Sequence, residues 1–286
     1  MEQWKEAGLV LEGGGMRGMY TVGVLEYFME QGLYFRSTYG VSAGCCHACS
    51  YLSKQEMRAY RISLNYLGDK HYCSLYSFIT TGELFGADMC YRQIPDELDP
   101  YDYEEYNKKQ GTFYGVVTNC RTGKAEYLPI EDMRRDIQIV RASSSLPLMA
   151  KMVNIGGELY LDGGISDSIP AKRSRKDGNE LSVVVLTRDS SYQKTPNSLM
   201  PLLKVRYRKY PNLIRALEER HMKYNKTLSY IREGEKAGKF FVLQPQEPVA
   251  FDRIEKDKKK LIGLYQQGYE DAKRQFGALK EFLKDR

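Results

Sequence analysis

The chain has 286 residues, of which 42% are hydrophobic and 28% are charged, and its formal net charge is +6. This length and apolar content suffice for a substantial core, and we expect a single domain over residues 1–286. No apolar run approaches the ~20 residues of a transmembrane helix. The first residues have neither the basic region nor the apolar core of a secretion signal, so the sequence predicts a cytoplasmic protein.

The modest basic excess is compatible with transient, peripheral contact with an anionic membrane surface, but it does not identify a partner. No nucleic-acid-binding motif accompanies it. Cys46 and Cys49 form one Cys-x-x-Cys pair, but no second pair with zinc spacing follows. An acidic loop of EF-hand spacing is also missing. The sequence therefore implies neither a metal nor another cofactor.

The first predicted strand, Leu9 to Glu12, leads into a glycine-rich loop, and a helix is predicted from Met19 to Gln31. Successive glycines expose backbone N–H groups without side-chain cover, and the helix adds its positive N-terminal end. Such a loop is suited to stabilising an oxyanion. Arg17 could hold this loop or bind an anionic headgroup. The candidate oxyanion hole comprises Gly13, Gly14, Gly15, Met16, Arg17 and Gly18.

The same glycines also match the dinucleotide-binding fingerprint, since they follow a strand and open a helix. A Rossmann site requires an acidic residue at the end of the next strand, but that strand ends in Gly40-Val41-Ser42. A phosphate-binding Walker loop would require Lys-Ser or Lys-Thr where Met19-Tyr20 stand. Nucleotide binding is therefore the less favoured interpretation of this loop.

A second predicted strand, Thr38 to Val41, breaks at the Gly-x-Ser-x-Gly motif around Ser42 and is followed by a helix over Ala43 to Ser53. This pattern is typical of a nucleophile elbow, in which a strained turn holds the serine hydroxyl clear of the sheet. Gly40 and Gly44 would allow the backbone to fold back closely. The motif indicates a serine nucleophile.

Further along the chain, residues 65–110 are rich in tyrosine, proline and acidic residues. They could form part of an acyl pocket or a lid, or an ordinary surface excursion. The β-branched runs Thr112 to Thr118 and Ser182 to Thr187 are typical of buried strands in a mainly parallel sheet. Alternation of strands and helices predicts an α/β fold, a three-layer α/β/α sandwich.

Asp162 ends a short apolar strand and is followed by Gly163 and Gly164. Taken alone, Asp-Gly is a turn signal. Because it follows a glycine loop and a serine elbow in the same chain, Asp162 becomes the candidate general base for Ser42.

This ordered trio of motifs, at Gly13 to Gly18, Gly40 to Gly44 and Asp162 to Gly164, resembles the patatin-like phospholipase family, specifically its bacterial members. The resemblance covers about residues 8–190 and extends more loosely to a basic helical section, residues 197–286. It implies a patatin-like fold and a Ser42–Asp162 catalytic dyad. It also implies an oxyanion hole in the glycine loop and the hydrolysis of lipid esters.

The principal alternative for the chemistry is a Ser-Asp-His triad of the α/β-hydrolase kind, using Ser42, Asp162 and His221. Only one clear strand precedes Ser42, whereas that fold normally places several strands before its elbow. His221 lies in a helical, charged context rather than in a loop at a strand end. Both observations favour the dyad.

The predicted activity is that of a serine acyl hydrolase acting on a phospholipid, a lysophospholipid or a simpler lipid ester. A non-catalytic lipid- or nucleotide-binding protein on the same fold is the alternative. In the C-terminal section, Phe240 to Leu243 is predicted to be a strand and Ile254 to Leu283 an amphipathic helix. The sequence does not indicate an oligomeric state.

Overall fold

A computed structural model describes residues 2–284 and contains, within them, one eight-stranded sheet between two helical layers. The strands are β1 (Gln3–Leu11), β2 (Leu33–Val41), β3 (Thr112–Asn119), β4 (Ala125–Pro129), β5 (Val153–Ile155), β6 (Glu158–Asp162), β7 (Ser182–Val185) and β8 (Phe240–Leu243).

The helices in the described residues are α1 (Met19–Glu30), α2 (Ala43–Leu52), α3 (Arg58–Asn65), α4 (Leu75–Thr81), α5 (Tyr103–Asn107), α6 (Met133–Ser143), α7 (Ala171–Lys176), α8 (Met200–Arg206), α9 (Pro211–Lys236) and α10 (Lys258–Phe282). A π-helical segment spans Met89–Leu98, and short 3-10 turns span Gly15–Gly18 and Gly163–Ile165.

Strand β1 is buried on both of its faces, which shows why the sheet has a helical layer on each side. Leu9 and Leu11 point into one buried cluster, which contains α1, α2 and α10. Val10, between them, points into another cluster with side chains of α7 and α9. Because successive strand residues alternate between the faces of a sheet, an apolar run that is buried throughout requires cover on both sides. The predicted three-layer α/β/α sandwich is confirmed.

The strand order is β5-β6-β3-β2-β1-β7-β8, with β4 also paired to β3. The central strands β3, β2, β1, β7 and β8 are parallel, whereas β4, β5 and β6 join antiparallel. The sheet is therefore mainly parallel at its centre and mixed at one side. The sequence analysis did not anticipate this antiparallel side, where Gly156 and Gly157 form the turn between β5 and β6 at positive φ.

Strand β3 offers one edge to two strands in succession. Val41 of β2 pairs with Val116, and Asp162 of β6 pairs with Val117, the next residue of β3. The opposite edge of these β3 residues is taken by β4. Because β2 ends where β6 ends, Ser42 and Asp162 are brought together at the same point of the sheet.

Some element ends differ from the prediction. β1 begins at Gln3 rather than Leu9 and β2 at Leu33 rather than Thr38, because Gln3 to Lys5 pair with Leu33 to Phe35. The polar, partly exposed start of β1 lacks the apolar pattern that marks a buried strand. Helix α10 begins at Lys258 rather than Ile254, where the Asp257 side chain caps it by accepting from Lys259 N–H at 2.9 Å.

The C-terminal section joins the same core. β8 extends the sheet beside β7, and α10 packs along α1. The two helices approach closely, since a Cβ on Gly23 would lie 2.1 Å from the Tyr265 carbonyl oxygen and one on Gly268 would lie 2.0 Å from the Tyr20 carbonyl oxygen. A buried hydrogen bond of 3.0 Å from the Tyr20 hydroxyl to Asp271 crosses the same interface. Within residues 2–284, no helix is both long and apolar enough to cross a bilayer.

We expect Gly268→Ala to lower the free energy of unfolding by about 1–3 kcal/mol, because the added methyl group would force α1 and α10 apart. Gly263→Ala, on the same helix with nothing within 4 Å of the added atom, should stabilise the protein by up to about 1 kcal/mol through helix propensity. Thermal and urea unfolding of both variants measure this. Equal stability of the two variants would contradict close packing of α1 on α10.

Candidate active site

Ser42 follows β2 directly and adopts φ 54° and ψ −124°, in the positive-φ region that side-chain-bearing residues rarely occupy. Its backbone N–H donates to Ser143 Oγ of α6 at 3.0 Å. Strained backbone of this kind persists only where the surroundings hold it, and it is concentrated at functional sites. The turn between β2 and α2 thus has the geometry expected of a nucleophile elbow.

The two glycines of the motif allow this turn to be tight. A Cβ on Gly40 would lie 2.5 Å from Cys45 Cα, and one on Gly44 would lie 2.6 Å from the Leu11 carbonyl oxygen. Any side chain at either position would therefore displace α2 from the sheet. The sequence motif corresponds to a steric requirement at the start of α2.

Asp162, the last residue of β6, is only 2% exposed. Its Oδ1 accepts the Gly164 N–H at 2.7 Å, and its Oδ2 has no partner of ordinary hydrogen-bond geometry within residues 2–284. Burial raises the pKa of this carboxyl group, while the Ser42 hydroxyl and then the Arg220 guanidinium oppose the rise. The carboxylate is therefore made more basic, and one of its oxygens remains available to the serine.

The glycine loop lies beside the elbow, since a Cβ on Gly13 would lie 2.8 Å from Ser42 Cβ. Within the described residues 2–284, the N–H groups of Gly13 and Gly14 donate no hydrogen bond. Those of Met16 and Arg17 are occupied, by the Arg253 carbonyl at 2.8 Å and the Gly14 carbonyl at 3.3 Å.

Met16 and Arg17 belong to the expected oxyanion hole, but within the described residues their N–H groups are engaged in holding the loop in shape. Gly15 adopts φ 58°, and a Cβ there would lie 2.5 Å from the Arg253 carbonyl oxygen. Gly18 starts α1 against α2, because a Cβ there would lie 2.7 Å from His47 Nε2. Among the described residues, the N–H groups of Gly13 to Gly15 donate no hydrogen bond.

Ser42 also borders an apolar cavity of about 180 Å³. The elbow helix α2 and helices α3 and α6 supply part of the lining, including Ala59, Ile62 and Val140. The segment 65–110 supplies much of the rest, through Tyr72, Phe85, Cys90, Tyr91, Ile94, Pro95, Tyr101 and Tyr103. The alternative that this segment is merely a surface excursion is therefore wrong.

A second, smaller cavity adjoins Ser42 and Asp162 and is strongly cationic. We call it the basic pocket and define it by its cationic lining residues: Arg17, Arg188, Lys194, Arg220 and Arg253. Burial lowers the pKa of Arg17 and of Arg220 to about 10, so both stay charged at neutral pH. Burial, with the charge of Arg220 as the next cause, lowers the pKa of Lys194 to about 7.

Sequence reasoning identified only Arg17 among these cations. Arg188 follows β7 at the sheet edge where β2 also ends, so the rule that ligands bind at the carboxyl ends of parallel strands could have indicated it. Arg220 lies within α9 and Arg253 in the segment between β8 and α10. No local pattern distinguishes such residues from ordinary surface arginines.

The histidines do not complete a triad in this arrangement. His221 lies on α9 but does not line either cavity at Ser42, whereas its neighbours Arg220 and Tyr224 line the basic pocket. His47 lines the apolar cavity one turn beyond Ser42, and burial lowers its pKa to about 4. At neutral pH it is an uncharged lining residue.

Comparisons with known proteins match the part of the chain that carries the motifs. The family model for patatin-like phospholipase matches residues 9–173, and a model for a domain of unknown function, DUF6363, matches residues 210–284. An uncharacterized protein of Escherichia coli (strain K12), YjjU, is 31% identical over 197 residues, which cover 66% of this chain and 54% of the relative. The chain thus spans about half the length of this curated relative.

Among solved structures, VipD from Legionella pneumophila matches with a TM-score of 0.46 and 13% identity, over 95% of this chain and 67% of that one. The family match includes the glycine loop, the serine elbow and the Asp162 turn, and it covers more than half of the chain. This chain belongs to the patatin-like phospholipase family.

Proposed function

We propose that this protein is a serine acyl hydrolase that cleaves carboxylic esters of lipids, with Ser42 as nucleophile and Asp162 as general base. Membership of the patatin-like phospholipase family indicates a hydrolase. The observation that carries the proposal is the position of a strained Ser42 beside the buried Asp162 carboxylate, whose Oδ2 has no partner of ordinary hydrogen-bond geometry within residues 2–284. Two groups in this relation are what direct proton transfer without histidine requires.

In the proposed reaction, Ser42 Oγ attacks the acyl carbonyl carbon as Asp162 accepts the hydroxyl proton. The N–H groups of Gly13 to Gly15 stabilise the resulting oxyanion. The tetrahedral intermediate collapses, and the alcohol leaves with the proton from Asp162. A water molecule then attacks the acyl-enzyme and gives a proton to Asp162. The second tetrahedral intermediate collapses, Asp162 returns that proton to Ser42 Oγ, and the fatty acid and free Ser42 are released.

The two cavities divide the substrate between them in this proposal. The apolar cavity would hold the acyl chain, because its lining is mainly hydrophobic and it reaches Ser42. The basic pocket would lie on the side of the leaving alcohol. Helix α9 and Arg253 contribute to the site, so we propose that residues 1–286 act as one functional unit.

We expect Ser42→Ala to reduce hydrolysis of p-nitrophenyl butyrate by about 10³-fold or more, because the covalent step is lost. Asp162→Asn should cause a comparable loss, because the amide cannot accept the serine proton. Thermal unfolding should show that both variants are folded. His221→Ala should retain activity, and its inactivation would instead favour the triad.

The pH dependence tests Asp162 further. The reaction needs the carboxylate, so activity should fall as pH decreases through the Asp162 pKa. Arg220→Met removes a positive charge that lowers this pKa, so the acidic limb of kcat/KM should move to higher pH. Arg220→Lys keeps the charge and should leave the limb near its original position. An unmoved limb in Arg220→Met would contradict the assignment of Asp162 as the base.

The proposal that the apolar cavity holds the acyl chain can be tested by a substitution that fills this cavity. Ala59→Phe places a large ring in the cavity from α3, and we expect the ratio of kcat/KM for a dodecanoyl ester to that for a butanoyl ester to fall about tenfold or more. Asn65→Phe adds the same ring at an exposed position of α3 and should leave the ratio unchanged. If Ala59→Phe is folded and keeps its chain-length preference, the acyl chain binds elsewhere.

A further inference from the structure

We propose that the basic pocket binds a phosphate group, held beside the Ser42 nucleophile by cations from both the patatin-like and the C-terminal parts of the chain. Arg17 lies in the 3-10 turn of the glycine loop within the family match, and Arg188 and Lys194 follow β7 beyond it. Arg220 and Arg253 come from residues 197–286. Identifying that phosphate as part of the substrate rests on the proposed function. Binding of phosphate as such does not.

The charges in the pocket are unbalanced. Besides the four arginines and Lys194, whose pKa of about 7 leaves it partly charged at neutral pH, the lining contains two carboxylates, Glu12 and Asp162. Glu12 is engaged by other groups: it accepts hydrogen bonds from the Thr187 N–H at 2.7 Å and from the Tyr224 hydroxyl at 2.6 Å. Asp162 serves the nucleophile. Both carboxylates favour the charged forms of neighbouring cations, Glu12 those of Arg17 and Lys194 and Asp162 that of Arg220, but the four arginines still outnumber them in the pocket.

Two of the arginines have unused donors. Arg17 is 6% exposed, yet its Nε and Nη1 make no hydrogen bond within residues 2–284. Its nearest acid, the highly exposed Asp252, is 3.9 Å from Nη1. Arg188 Nε is also buried without a partner among the same residues. Buried guanidinium donors without partners are costly. Both arginines line the basic pocket, and a phosphate bound there, with several acceptor oxygens, would supply partners for guanidinium donors.

The cations also repel one another. Arg188 and Arg253 both disfavour the charged form of Arg17, and Arg220, Arg253 and Arg17 disfavour that of Lys194. Like charges held close together in a half-buried pocket are stabilised when an anion enters. A phosphate monoester, with a charge of about −1.5 to −2 at neutral pH, matches this excess better than a headgroup that also carries a cation.

The substrate arm of the test compares two monomeric esters with the same acyl chain, 1-hexanoylglycerol 3-phosphate and 1-hexanoylglycerol. We expect kcat/KM to be at least about tenfold higher for the phosphate ester, since charged hydrogen bonds to the phosphate would strengthen binding. Arg253→Met should reduce this ratio about tenfold or more, while its backbone carbonyl still receives the Met16 N–H. Arg208→Met removes an exposed charge outside the pocket and should leave the ratio unchanged.

A binding arm uses full-length Ser42→Ala, which does not require turnover. Calorimetry with inorganic phosphate and with glycerol 3-phosphate should show saturable binding that Arg253→Met and Arg188→Met weaken about tenfold or more. Binding without a preference for the phosphate ester would identify free phosphate as the ligand of this pocket. Binding with no hydrolysis of either ester would support the pocket and refute the proposed function. No binding together with no preference would overturn the proposal.

Discussion

The arrangement of the candidate site depends on the pairing of β3. This strand accepts β2 as far as Val41 and then β6 from Asp162 on the same edge. The chain must leave the sheet at both places, and the two exits therefore lie side by side. The serine and the aspartate are 120 residues apart in sequence. They lie close together because β2 and β6 end opposite adjacent residues of β3, Val116 and Val117.

Close packing around Ser42 and Asp162 fixes the serine backbone and raises the pKa of the aspartate. Gly40 and Gly44 let α2 start against the sheet, and Ser143 holds the Ser42 N–H. Asp162 is enclosed, so burial penalises its charged form and raises its pKa. A carboxylate in water is a poor base for a hydroxyl group. The enclosure that is unfavourable for an isolated carboxylate is thus the property that proposed catalysis by a dyad requires.

Much of this architecture could be predicted from sequence because it is encoded locally. The apolar strand, the glycine loop, the elbow and the Asp-Gly-Gly turn each carry their own pattern, and alternation of strands and helices predicted the layers. The extended starts of β1 and β2 were missed, because their partly exposed residues lack that pattern. The strand that ends at Asp162 was predicted, but β5 and the antiparallel pairing of β6 with β3 were missed. β5 has only three residues, and the β3 partner of β6 is distant in sequence.

The basic pocket was the least predictable part of the site. Its cations are brought together by tertiary packing of α9 and of the segment before α10 against the glycine loop, and a basic composition does not specify which residues converge. The hydrogen bond from the Met16 N–H could not be predicted either, because its acceptor, the Arg253 carbonyl, is distant in sequence. The C-terminal part thus shapes the loop that the first motif defines.

The most direct test of the central claim is labelling of the purified protein with a fluorophosphonate, followed by mass spectrometry of the modified peptide. The account predicts a single adduct on Ser42 that forms much more slowly in Asp162→Asn and is absent from Ser42→Ala. An adduct that persists in folded Ser42→Ala, or a folded wild-type protein that is not labelled at all, would contradict it.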